Sequence, residues 1–157
     1  MNILKIQTEI LKEHIAGTPW VQWCLIGADL WVTLKGVAMF RIPSEDFYLR
    51  LNRGLEKKAQ IESFLANAKK ANHRLIPTDD FKSIALVYSG KARKFIGNDD
   101  DEFAYVSDGF FKMAVKGEKG GITLWNTKGD SSSAVVVKRD DEIIAVIAAL
   151  RIKEAKQ

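Results

Sequence analysis

Apolar residues recur at every second position in one part of the chain, as a half-buried strand requires. In residues 30–35, three aliphatic side chains alternate with polar or aromatic ones. Apolar segments at 20–26 and 37–42 flank this one, with glycines between them, so the pattern predicts three strands in a row. Three more strands are predicted near the end of the chain, at residues 122–126, 133–138 and 142–152.

Helical spacing is found before each of these two groups of strands. Thr8 is placed to cap a first helix, which follows a short strand at 2–6 and carries an apolar stripe of Ile10, Leu11 and Ile15. Ser107 or Asp108 is placed to cap a helix at about 110–116. A helix followed by three strands therefore occurs twice, at 8–42 and at 109–152.

The middle of the chain is predicted to be helical first and then extended. Ser44 starts a short helix to 52, and residues 55–72 form a second helix with apolar positions at i, i+3, i+4 and i+7 spacing. Residues 84–88 and 92–96 then flank a Ser-Gly-Lys turn, which indicates a hairpin. The element types together predict an α+β protein.

Composition limits the class of protein but does not identify a function. A chain of 157 residues suits one domain, which we expect to span 1–157, and a net charge of +4 permits contact with nucleic acid without demanding it. Cys24 has no second cysteine to pair with, so it is expected to be a small buried side chain in a reducing compartment. The N-terminus has no signal-peptide core, and no apolar run approaches the roughly 20 residues that span a bilayer. We therefore expect a cytoplasmic protein with no membrane partner.

Several segments resemble the DNA sliding clamp family. Residues 1–15 are similar to the opening strand and helix of a clamp domain, and 30–35 with 37–42 are similar to its next hairpin. Residues 105–115 resemble a strand that leads into the second inner helix, and 146–152 resemble the terminal strand. At positions 148–150 this chain has Ala-Ala-Leu where the family has residues similar to Met-Pro-Met, which help to form its partner-peptide pocket.

The resemblance implies a clamp-like fold with two antiparallel sheets and two helices on one face. An extra helical insertion at about 44–74 would be added to it. It also implies a ring of about six copies, joined through sheet edges, because one such domain cannot encircle DNA. Self-association is therefore expected, together with contact to the backbone of double-stranded DNA that does not depend on base sequence.

Two groups of basic residues are candidates for that contact. Lys112 and Lys116 are four positions apart on the predicted second inner helix, and Lys119 follows in the next loop. The alternative interpretation is an ordinary solvated helix face. The charged residues of the first helix include acids, so the first helix is not expected to be basic. The second group is at the end of the 55–72 helix, where a helix-dipole role is the alternative; it consists of Lys69, Lys70 and Arg74.

No catalytic, metal or cofactor site can be assembled from the sequence. Phosphate-loop and nucleophile-elbow patterns are missing, and the histidines lack companion ligands at metal-site spacing. The acidic run 99–101 lacks the glycine and distal glutamate of a calcium loop, so it is interpreted as a polar turn. Since these motifs are missing, the resemblance to the clamp family leads us to expect a non-enzymatic DNA-associated accessory protein of the kind carried by bacteria or their mobile elements. A protein-interaction module without a DNA role is the alternative.

Overall fold

The computed structural model describes residues 1–17, 21–85, 88–98, 103–127 and 133–152. It contains three α-helices, α1 (Ile3–Ile15), α2 (Lys58–Ala68) and α3 (Asp108–Val115), and short 3-10 turns at Ser44–Asp46, Arg53–Leu55 and Tyr88–Gly90. The strands are β1 (Trp23–Ile26), β2 (Asp29–Leu34), β3 (Ala38–Pro43), β4 (His73–Ser83), β5 (Lys91–Ile96), β6 (Phe103–Ser107), β7 (Ile122–Asn126), β8 (Val135–Arg139) and β9 (Glu142–Ile147). The α+β prediction is confirmed.

The nine strands of the described residues form one antiparallel sheet in the order β1-β2-β3-β9-β8-β7-β4-β5-β6. The expectation of two sheets is wrong, and the long strand β4 is the reason. Its first part pairs with β7, through Leu75 and Leu124, and its later part pairs with β5. The pairing with β7 ends at Leu75 and that with β5 begins at Ile76, and a register shift between Pro77 and Phe81 interrupts the β5 pairing further on. One continuous strand therefore joins what would otherwise be two sheets.

The order of elements is symmetrical about the contact between β3 and β9. On one side of it, α1 precedes the meander β1-β2-β3, and on the other side α3 precedes the meander β7-β8-β9. The two meanders meet where Phe40 pairs with Ala145 in antiparallel register. The repeated helix-and-three-strand order read from the sequence therefore corresponds to two adjacent three-stranded parts of one sheet, which β4, β5 and β6 extend.

The two faces of the sheet carry different helices. Ile6 and Ile10 of α1 and Phe110 of α3 are buried in one cluster with Val32 and Phe40 of the sheet. On the opposite face, α2 packs through two smaller clusters, which contain Ile61, Leu65, Ala68, Cys24 and Met39. Helices α1 and α3 therefore share one face, and the helix of the 44–74 region covers the other.

The outer strands of the sheet each have one additional partner. Trp23 of β1 forms a parallel bridge with Glu56, and Tyr105 of β6 forms an antiparallel bridge with Leu150. The amide of Leu150 donates to the carbonyl of Tyr105 at 2.7 Å. Since Leu150 follows β9 closely in the chain, this bond means that the sheet curls round until β6 meets the segment after β9.

The first predicted strand is wrong, because residues 3–15 form a helix. The Asn2 side chain accepts a hydrogen bond from the amide of Lys5 at 3.1 Å and so caps the helix earlier than expected. Thr8, the predicted cap, lies inside the helix, where its hydroxyl donates to the carbonyl of Leu4 at 2.8 Å. The helix ends as predicted, before Gly17, which has a φ of 68°.

The predictions for the middle of the chain are partly wrong. The helix from Ser44 to 52 is reduced to one 3-10 turn, Ser44–Asp46, and α2 is shorter than the predicted 55–72. The hairpin strand expected at 84–88 is not found in its described part, because β4 ends at Ser83 and a 3-10 turn begins at Tyr88, while residues 86 and 87 lie outside the described residues. Pro77, which lies past the end of the predicted 55–72 helix, is part of this strand and lies beside the register shift. Among the described residues, no helix combines the length and the apolar character needed to cross a membrane.

Candidate nucleic-acid interface

Helices α1 and α3 lie side by side and run in opposite directions. The amide of Asn2, at the start of α1, donates to the carbonyl of Met113, near the end of α3, at 2.7 Å. Further along α1, Glu9 hydrogen-bonds Tyr88, whose ring stacks on Phe110 in α3 at 4.7 Å. These contacts fix which edge of α1 faces α3.

Glu9 points toward that edge and is held there by cations. Its side chain is 6% exposed, and Lys5 and Lys12 reach its carboxylate at 3.1 Å and 2.9 Å. Burial raises the pKa of Glu9, but the hydrogen bonds from Lys12, Lys5 and Tyr88 outweigh burial and hold that pKa below its ordinary value. Glu9 therefore carries its charge beneath a surface formed by the two lysines, whose side chains are 45% and 62% exposed.

Glu13, one turn further on, is also buried. Burial raises the pKa of Glu13, the nearby charge of Glu9 raises it further, and Lys35 partly opposes this effect. The ammonium group of Lys35 lies 5.4 Å from the centre of the Tyr88 ring. Burial and then the charge of Glu9 raise the pKa of Tyr88 to about 12, so its hydroxyl stays protonated and donates to Glu9.

Asp108, at the start of α3, is buried in the same way. Its side chain is 4% exposed, and it accepts a hydrogen bond from Arg93 Nε at 2.8 Å and pairs with Lys112 at 2.6 Å. The Arg93 guanidinium lies 4.7 Å from the ring centre of Phe81 and 5.4 Å from that of Phe111. The charge of Asp108 is therefore balanced on its buried side by Arg93, which is fixed in place, while Lys112 remains 63% exposed.

The helix pair therefore separates its charges by depth. All of the acids in α1 and α3, namely Glu9, Glu13 and Asp108, are buried. The exposed charged side chains on these helices and the following turn are lysines. They are Lys5, Lys12, Lys112, Lys116 and Lys119.

This arrangement corrects the expectation that the first helix is not basic. That expectation counted Glu9 and Glu13 as surface charges, whereas both point inward. Lys5 and Lys12 were consequently missed as candidates. The sequence offers only a weak indication that the two acids point inward: Glu9 and Glu13 lie one turn apart and so share one face of the helix.

The second predicted group lies elsewhere. Lys69 and Lys70 follow α2, on the face opposite to α1 and α3. Arg74 alternates along β4 with Leu75, which is buried in the core under α3, so Arg74 points toward the α2 face. The structure therefore brings Lys69, Lys70 and Arg74 to one face and Lys112, Lys116 and Lys119 to the other.

Other candidate chemistry is limited. Within the described parts of the chain, no group of three or more His, Cys, Asp or Glu side chains is placed to hold a metal ion. The acidic run 99–101 lies outside the described residues. Cys24 is fully buried as predicted, and burial raises the pKa of its thiol.

Comparisons with known proteins add no family to this description. Neither the protein-family models, nor the curated proteins, nor the solved structures include a significant match to the chain.

Proposed function

We propose that the protein is a non-enzymatic DNA-associated accessory protein. In this proposal the face of α1 and α3 contacts the backbone of double-stranded DNA. The observation that carries it is the separation of charges by depth on this helix pair. Exposed lysines with no exposed acid between them on either helix favour the approach of a polyanion.

The expected mode of binding is contact with phosphates and not with base edges. Lysine provides a flexible, strongly hydrated point charge, which neutralises phosphates without the bidentate geometry that reads bases. Each phosphate contact releases counterions, so affinity is expected to fall steeply with salt and to depend little on base sequence.

A clamp-like arrangement is part of the proposal. Two helices side by side on one face, each followed by a three-stranded meander, support it. Encirclement of DNA would need several copies of the chain. Because Glu56 and Leu150 already bridge the two outer strands, copies that joined through those edges would have to displace or bypass these bridges.

The proposal is tested with two matched triple variants that remove the same charge from opposite faces. One is Lys112→Gln/Lys116→Gln/Lys119→Gln, and the control is Lys69→Gln/Lys70→Gln/Arg74→Gln. Binding to a fluorescent mixed-sequence duplex is measured by anisotropy at several KCl concentrations. If all three lysines contact phosphates, the first variant lowers the slope of log K against log salt by about 2.7.

The two variants give distinguishable results. The proposal requires that the α3 variant weakens binding at least about tenfold at low salt while the α2-side control binds as the wild type does. If the control alone loses binding, the DNA-contacting surface is the α2 face. If the wild-type protein does not bind the duplex even at low salt, the DNA role is wrong.

The second candidate function is a protein-interaction module with no DNA role. It is favoured by large apolar side chains that α1 leaves in solvent, since Leu4 and Ile15 are each 77% exposed. This function predicts partner binding that changes little with salt, and no retention on DNA at low salt.

A further inference from the structure

Helix α1 has a second apolar face that the core does not use. Ile6 and Ile10 are fully buried, but Leu4, Leu11 and Ile15 are 77%, 44% and 77% exposed. The predicted buried stripe of Ile10, Leu11 and Ile15 is therefore wrong, because only Ile10 of the three is buried. Together with Thr8, the three exposed residues follow a four-three-four spacing, which is the spacing of a seam between two packed helices. We call Leu4, Thr8, Leu11 and Ile15 the α1 ridge.

The α1 ridge lies on the side of the helix away from α3. Gln7, which neighbours Leu4 and Leu11 on the helix surface, donates to the carbonyl of Asp46 at 2.9 Å and accepts from the amide of Tyr48 at 2.8 Å. The 46–51 segment therefore runs along this edge of α1. The Tyr48 side chain, which is 81% exposed, adds to the apolar surface there.

A small cavity opens next to the ridge. It has a volume of about 130 Å³ and lies between Leu11 and Ile10 of α1 and Leu49 and Leu55 of the following segment. Arg50 also lines it. A cavity of this size beside an exposed helix face suits one apolar side chain of a partner, in the way that anchor residues fill pockets at helix-in-groove interfaces.

The charges beside the ridge decide between two kinds of occupant. Lys5 and Lys12 flank it on the side of α3, with side chains 45% and 62% exposed, whereas the other side is mixed in charge because Asp46 lies beside Gln7 there and Arg50 beside the cavity. If the ridges of two copies packed antiparallel, the lysines of one copy would face the lysines of the other, which is unfavourable. A partner helix with acidic flanks would be attracted on the lysine side and would meet Arg50 on the other.

We infer that the α1 ridge is a docking site for an amphipathic helix of a partner protein, with an apolar seam and acidic flanks. From Leu4 to Ile15 the ridge runs for about 17 Å at 1.5 Å per residue, so a partner helix of three turns covers it. This inference does not depend on the proposed DNA contact, because its apolar residues lie away from α3, although Lys12 borders both surfaces.

The test uses a defined probe. It is an acetylated peptide of three heptads, with Leu at positions a and d and Glu at positions e and g, and its control has Lys in place of each Glu. We expect the wild-type protein to bind the Glu peptide at least about tenfold more tightly than the Lys peptide, as measured by isothermal titration calorimetry.

Two double variants locate the binding surface. Leu4→Gln/Ile15→Gln removes the ends of the ridge, and Phe64→Gln/Ile76→Gln removes partly exposed apolar side chains, 46% and 51% exposed, that lie away from α1. Circular dichroism and thermal melting check that both variants fold. The ridge variant should bind the Glu peptide at least about tenfold more weakly, and the control should bind it as the wild type does.

Three results would overturn the inference. The first is equal binding, or no binding, of the two peptides by the wild-type protein. The second is a concentration-dependent dimer that is lost in the ridge variant, which would assign the ridge to a second copy. The third is loss of duplex binding by the ridge variant, which would assign the ridge to the DNA surface. Failure of the DNA proposal is recognised separately, from duplex binding by the Lys112→Gln/Lys116→Gln/Lys119→Gln variant.

Discussion

Replacement of Arg93 by methionine should destabilise the fold through Asp108. Methionine keeps an unbranched chain between the rings of Phe81 and Phe111 but removes the hydrogen bond to a carboxylate that is only 4% exposed. Lys112 stays beside that carboxylate, but it is 63% exposed and so is well solvated. Removal of one partner from a buried ion pair costs about 3–5 kcal/mol, and the remaining lysine places this case near the lower end, at about 3 kcal/mol.

The companion variant Asp108→Asn tests whether the two residues act as a unit. It keeps the shape of the side chain and removes its charge, so the double variant Arg93→Met/Asp108→Asn leaves no buried charge without its partner. The double variant should therefore be more stable than the sum of the single losses predicts. We expect a coupling energy of at least about 1.5 kcal/mol between the two positions.

Urea unfolding followed by tryptophan fluorescence measures these differences. With an m-value of about 2 kcal/mol per molar urea, a loss of 3 kcal/mol lowers the midpoint by about 1.5 M. The reasoning is refuted if the two single losses add up to the loss of the double variant, because Arg93 would then not be the partner that compensates Asp108. It is also refuted if Arg93→Met leaves the midpoint unchanged.

Two further predictions concern the packing and charge around the helix pair. Gly109→Ala should lower the free energy of unfolding by about 2 kcal/mol and the melting temperature by about 6 °C. The reason is that an added Cβ would lie 2.6 Å from the Tyr88 ring and 2.8 Å from Ser89 Oγ. An unchanged melting temperature would show that Tyr88 is not fixed there. Burial raises the pKa of Glu118, but hydrogen bonds from the N-terminal ammonium group and Arg139 outweigh burial and hold that pKa below its ordinary value. This carboxylate therefore stabilises the fold above its unfolded-state pKa and ceases to do so as the pH falls through the folded-state value. In urea unfolding at neutral pH, Glu118→Gln should therefore lower the free energy of unfolding by about 2 kcal/mol, and the difference from the wild type should vanish in acid. An equal difference at both pH values would contradict this prediction.

The strands that were predicted correctly are those whose signal is local. The segments around β2 and β9 carry their own alternation or apolar run, and turn residues separate them from their neighbours in sequence. Strand β4 was missed because Pro77 and the acids after it are typical of a turn. This strand is specified by its partners Trp125 and Phe95, which are distant in the chain and which no local pattern reveals.

The candidate interface was half predicted for a similar reason. Lys112 and Lys116 could be placed on one helix face from their spacing alone. The inward orientation of Glu9 depends on Tyr88, and burial of Asp108 depends on Arg93, and these partners come from the turn before β5 and from β5 itself. A charge pattern along one helix therefore did not distinguish surface acids from buried ones.

The contact between β3 and β9 also bears on how the chain reaches its fold. Phe40 and Ala145 are roughly a hundred positions apart, and closing a loop of that length costs about 4 kcal/mol before the pairing returns any stability. During synthesis, β2 can pair with one edge of β3, but the other edge stays unpaired until β9 has left the ribosome. We therefore expect slow folding, limited by this late pairing, and an early intermediate that aggregates unless β3 is protected.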